Sequence, residues 1–67
     1  SYNMTDTGEM IRLCRGKLHW TRAKLSEALG VGVHTILNVE RNPDCKVSTF
    51  ERLIEAMGYE MEILRKE

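Results

Sequence analysis

Residues Thr21–Glu40 read TRAKLSEALGVGVHTILNVE, and this stretch decides the fold. Thr21 is a residue type that caps a helix, and Leu25, Ala28 and Leu29 behind it form an apolar face opposite Arg22, Lys24 and Glu27. Gly30-Val31-Gly32 stops that helix, with Gly30 where a left-handed residue just past the end is favoured. A further helix follows at once over 33–41, with Ile36 and Val39 turned inward. Two helices joined by three residues must cross steeply, which is the geometry of a helix-turn-helix. Ser26, a small residue where the helices approach, Gly30 four residues on, and Ile36 and Val39 six and nine past Gly30 reproduce that motif's internal spacing without a gap.

Upstream, Asp6-Thr7-Gly8-Glu9 reads as a capping box. Met10, Ile11, Cys14 and Leu18 then recur at helical spacing, predicting a helix over 7–17. Gly16 weakens its end by roughly 0.5–1 kcal/mol. Ser1–Asn3 precede Met4, which reads as an initiator with a remnant before it. Downstream, Asn42-Pro43-Asp44 is a loop signal, because Pro43 biases its predecessor away from helix. Ser48 is expected to cap a helix over 48–57, with Phe50, Leu53, Ile54 and Met57 inward and Gly58 as its stop.

The tail changes period. Tyr59, Met61 and Ile63 alternate with Glu60, Glu62 and Leu64, which predicts a strand over 59–64. One strand cannot satisfy its own backbone, so the expected partner is the tail of a second copy, in an antiparallel ribbon across a two-fold axis. The other reading is a frayed helical extension or a disordered tail.

From about Ile11 to Gly58 the chain resembles the Cro/phage-repressor (XRE-like) family of helix-turn-helix DNA-binding domains. The resembling pieces are Ile11–Arg15, Trp20–Ser26, Gly30-Val31, Ile36 with Glu40, and the helix over Phe50–Gly58. The resemblance implies a mainly α, four-helix, lambda-repressor-like domain occupying 1–67, here with a short C-terminal β-strand. It also implies an Arg15–Glu40 ion pair tying the first helix to the end of the recognition helix, with Arg15 brought near a phosphate. The chain departs from the family in four places. Arg22 stands where the family has a glutamine that meets a phosphate, and arginine keeps that role with a full charge. Ser26 replaces alanine, Gly32 replaces a serine or threonine cap, and Asn42 replaces a glycine.

In such a motif the second helix enters the major groove. Mapped onto this chain, Val33, His34, Leu37 and Asn38 face the base edges. Asn38 suits an adenine edge, His34 a guanine N7 or O6, and Val33 and Leu37 thymine methyls. Thr21, Arg22, Thr35, Arg41 and Lys46 are the expected phosphate contacts. For each there is a plainer reading: His34 exposed without a role, Asn38 bridging locally, Leu37 in the core of a rotated helix, the basic residues merely solvating helix surfaces. Trp20 occupies an apolar core position and is read as core.

Composition fits a small binding protein. The 67 residues include ten Lys and Arg and ten Asp and Glu, so the formal charge is zero. The balance hides an asymmetry: residues 1–26 carry a net +3 and residues 27–67 a net −3. Two cysteines are too few for a disulfide-stapled secreted scaffold. No signal peptide or membrane span is legible, which implies the cytoplasm. Cys14, His19, His34 and Cys45 lack the paired spacing of a zinc site, and no glycine-rich phosphate loop follows Gly30-Val31-Gly32. A chain this short also leaves no room for a substrate cleft, so no enzyme, metal or cofactor is expected. A domain of this size buries only about 60 % of its unfolded surface, which favours dimerisation. The expected function is sequence-specific transcriptional regulation, as a repressor dimer on a palindromic operator with half-sites about 34 Å apart. The alternative is the antitoxin of a toxin–antitoxin pair, its acidic half facing a basic toxin and its helix-turn-helix on its own promoter.

Overall fold

The computed structural model describes residues 6–66. The reading of Ser1–Asn3 and Met4 lies outside the described residues. Four helices follow in order: α1 (Thr7–Lys17), α2 (Arg22–Leu29), α3 (Val33–Glu40) and α4 (Val47–Ala56). Each of α1 and α2 packs on both α3 and α4. The centre of the core takes one side chain from each helix: Ile11, Leu25, Ile36 and Leu53 are all essentially without solvent exposure. Cys14, Phe50, Ile54 and Met57 extend this cluster, and Trp20, Leu29, Val31 and Val39 close over it half-buried. Ala28, expected on the inner face of its helix, is exposed.

The helix boundaries follow their caps. Asp6 Oδ1 accepts from the Glu9 amide at 2.9 Å, and Thr21 Oγ1 accepts from the Lys24 amide at 3.0 Å. Gly30 ends α2 at φ 77°, its amide donating to the Ser26 carbonyl at 2.8 Å. The turn before α2 uses a left-handed residue the sequence does not announce, His19 at φ 58°.

Two further expectations fail. Ser48 does not cap α4: the helix begins at Val47, and Lys46 holds the cap position without a side-chain bond. The bond that closes the first turn runs from the Phe50 amide to the Lys46 carbonyl at 2.9 Å. Burial of Phe50 thus sets the register, and it places Ser48 one residue inside.

The C-terminal strand is the second correction. Residues 59–66 are not in a strand, and Tyr59, Met61, Ile63 and Leu64 are exposed. A strand needs a ladder of free backbone donors and acceptors beside it. The elements that share a groove with residues 59–62 are α1 and α4, whose backbone groups are already spent within their own helices. Met10, Cys14, Phe50 and Ile54 line an open, mostly apolar groove of about 310 Å³ with Tyr59 and Met61 along its rim.

Candidate nucleic-acid interface

The leading end of α3 stands in solvent. Val33, His34, Thr35 and Asn38 are exposed, whereas Leu37 is half-buried. Ile36 fixes this orientation by occupying the core, so the side chains on the opposite side of the helix are left outward. Gly32 caps α3 without a side-chain bond, leaving its first turn uncluttered.

The trailing end of α3 is tied down. Glu40 is 2 % exposed and is the focus of the polar network. Arg15 grips it with two donors, Nε to Oε2 at 2.7 Å and Nη2 to Oε1 at 3.1 Å. Arg15 spends its remaining arm on the Trp20 carbonyl, through Nη1 at 3.0 Å. The ion pair expected of Arg15 and Glu40 is thus present in the structure.

Arg22 joins the same carboxylate, Nε to Oε1 at 2.9 Å, while its side chain remains 42 % exposed. Sequence reasoning placed Arg22 beside a phosphate and did not see this tether. Burial pushes the Glu40 carboxyl up, but hydrogen bonds and positive charge from Arg15 and Arg22 outweigh it and hold the group below its ordinary value.

A second set of contacts was invisible in the sequence. Arg12 donates through Nη1 to the Glu40 carbonyl at 2.7 Å, capping the last turn of α3. The Thr7 and Gly8 amides donate to the Pro43 and Asn42 carbonyls at 3.0 and 3.1 Å. These bonds satisfy two of the unpaired donors at the start of α1. Thr7 Oγ1 also donates to the Asn42 carbonyl at 3.3 Å and accepts from the Cys45 amide at 3.0 Å. A glycine in the first turn of a helix was the only available signal, since glycine there often marks a close backbone approach.

The remaining expected phosphate residues are dispersed. Arg41 follows Glu40 as the C-cap of α3 and is exposed. Lys46, exposed, lies across the loop at the start of α4. The Thr21 hydroxyl is occupied as the α2 cap. Lys24 lies over the Trp20 ring, its Nζ 5.5 Å from the centroid, a cation–π contact that covers the half-buried indole. Among the described residues no three His, Cys, Asp or Glu side chains gather as a metal site. No described helix is long and apolar enough to cross a membrane.

No family model matches the chain. It is 30 % identical over 61 residues, 90 % of its length, to the antitoxin HipB of Escherichia coli strain CFT073 and to that of strain K12. The match spans 65 % of the first relative and 69 % of the second, about two thirds of their length. Among solved structures, a chain in a HipA-HipB-O2-O3 complex superposes with a TM-score of 0.76 at 26 % identity, covering 100 % of this chain and 96 % of that one. A chain in a HipB-O1-O2 complex gives 0.75 at 24 % identity, covering 97 % and 96 %, a likeness of fold.

Proposed function

Since this chain belongs to the HipB antitoxin family, we propose that it is a DNA-binding antitoxin that represses its own promoter and pairs with a protein toxin. The observation that supports DNA binding is the exposed leading face of α3, with His34, Thr35 and Asn38 free in solvent. In this reading Asn38 and His34 read base edges, Val33 and the exposed part of Leu37 meet thymine methyls, and Thr35, Arg22, Arg41 and Lys46 meet phosphates. Asn38 supplies the sharpest discrimination, because an amide side chain bonds an adenine edge through two atoms.

A solved relative assembles with HipA, and a protein of that kind is the partner proposed here. The acidic second half of the chain, net −3 over residues 27–67, suits a basic toxin surface. Two copies joined through the exposed apolar tail, Tyr59, Met61 and Ile63, would present two α3 helices to a palindromic site. This is a cytoplasmic binding protein that needs no cofactor and catalyses no reaction.

Selection of bound sites from random-sequence duplex DNA tests the reading. A symmetric site with half-sites about one helical turn apart is expected. Asn38→Ala should then relax specificity at one base of each half-site, and failure to enrich any site would refute the regulatory half of the proposal. The antitoxin half is tested by co-expression with a toxin-like protein encoded beside the gene. Growth arrest relieved by this chain supports it, and arrest left unrelieved rejects it.

A further inference from the structure

We infer that Glu40 positions Arg22 for a DNA phosphate, holding its Nε so that the two terminal nitrogens form a pre-set fork; this rests on the DNA-binding reading above. The two arginines on Glu40 are used differently. Arg15 is committed inward through Nε, Nη1 and Nη2 together, and its side chain is only 17 % exposed. Arg22 commits Nε alone, and among the described residues its Nη1 and Nη2 make no hydrogen bond. With Nε spent inward and the side chain 42 % exposed, the terminal fork is what Arg22 offers to solvent.

The charges allow a ligand there. Two guanidiniums share one carboxylate, so the cluster keeps one net positive charge, and the first turn of α2 contains no acid to cancel it. A guanidinium fork matches two phosphate oxygens in one plane. Holding Nε in place also removes rotamer freedom before DNA arrives, which lowers the ordering cost of the contact. Glu40 is therefore a positioning residue: it touches no DNA in this scheme and acts through Arg22. Because Glu40 also ends α3, one carboxylate sets the spacing between a phosphate contact on α2 and the reading face of α3.

Lysine cannot reproduce this arrangement. It carries one ammonium, which can pair with Glu40 or reach a phosphate but does not offer an inner donor and an outer fork together. The test compares wild type, Arg22→Lys, Arg22→Gln, Glu40→Gln and the Arg22→Lys/Glu40→Gln pair, with folding checked by thermal melts. Each is titrated against a duplex recovered from random DNA, over a range of salt concentrations.

Arg22→Gln should bind about tenfold more weakly, with a salt slope shallower by about one. Arg22→Lys should lose about as much despite keeping its charge. In the Glu40→Gln background the lysine substitution should cost little more. Wild-type affinity in Arg22→Lys, or losses that simply multiply in the double variant, would overturn the inference and leave the DNA reading standing. Unchanged binding in Arg22→Gln would do the same. If Glu40→Gln fails to fold, the two Arg22 variants decide the matter alone. Failure to recover any duplex would overturn both readings.

Discussion

Gly8 of α1 lies against the backbone carbonyl of Glu40 so closely that no side-chain atom fits between them. A Cβ at Gly8 would overlap that oxygen and fall 2.8 Å from the Asn42 carbonyl oxygen. Both obstacles are backbone, so neither can swing away. The approach lets the α1 amides reach the loop after α3, and it fixes the trailing end of the helix whose leading end is exposed.

Gly8→Ala should therefore destabilise the chain by about 1–3 kcal/mol, although alanine is the better helix former. Gly16→Ala is the internal control, because a Cβ there meets nothing within 4 Å. It should stabilise by about 0.5–1 kcal/mol. Urea unfolding of the two variants checks the contrast, and equal shifts would remove the steric explanation.

Removing the Glu40 carboxylate should cost more. Glu40→Ala leaves two guanidiniums facing one another without their shared counter-charge. A loss of about 3 kcal/mol is expected, at the lower end for a broken buried pair because Arg22 can turn to water. For a domain of this size that is a large fraction of total stability. A thermal melt lowered by only a degree or two would show that the network contributes little.

The same carboxylate gives a pH dependence of known sign. Its folded value lies below its unfolded one, so the stability it adds is complete above the ordinary unfolded value and disappears as pH falls through the folded value. The gap in unfolding free energy between wild type and Glu40→Gln should be constant from neutral pH to about pH 5 and then close with further acidification. A gap that widened in acid would mean that the carboxyl is neutral when folded.

The cysteines should differ in reactivity. Cys14 lies in the core, where burial raises its thiol pKa against a smaller lowering by Lys17, whereas Cys45 is half-buried in the loop after α3. The thiolate is the reactive form. Mass spectrometry after brief iodoacetamide treatment should find Cys45 modified first and Cys14 modified only on unfolding.

The tail is tested by removing it. Ile63 is 95 % exposed and Leu64 77 %, an arrangement that water disfavours in an isolated chain. Sedimentation of the intact chain should give a dimer, and of a chain ending at Gly58 a lighter species. Equal association of both would place the dimer contact elsewhere.

Much of the fold was legible because it depends on local chemistry. The helical spacing within each element (Ile11 with Cys14, Leu25 with Leu29, Ile36 with Val39, and Phe50 with Leu53, Ile54 and Met57), the caps Asp6 and Thr21, and the stops Gly30 and Gly58 each act within a few residues, so short windows of sequence reveal them. The start of α4 was misread because a propensity for capping at Ser48 competes with burial of Phe50, and burial is the larger quantity. The tail was misread because alternation shows which side chains could share a face, while a strand requires a neighbouring backbone with free donors and acceptors.

By itself the sequence determined the helices, their order, the tight turn between α2 and α3, and the Arg15–Glu40 pair implied by family resemblance. Only the tertiary structure decided that Arg22 shares Glu40 with Arg15, that Arg12 caps the end of α3, and that Gly8 must lack a side chain. Those contacts join residues 18 to 32 positions apart. No periodicity or local propensity encodes such pairs, which come into being only when packing of the four helices brings their surfaces together.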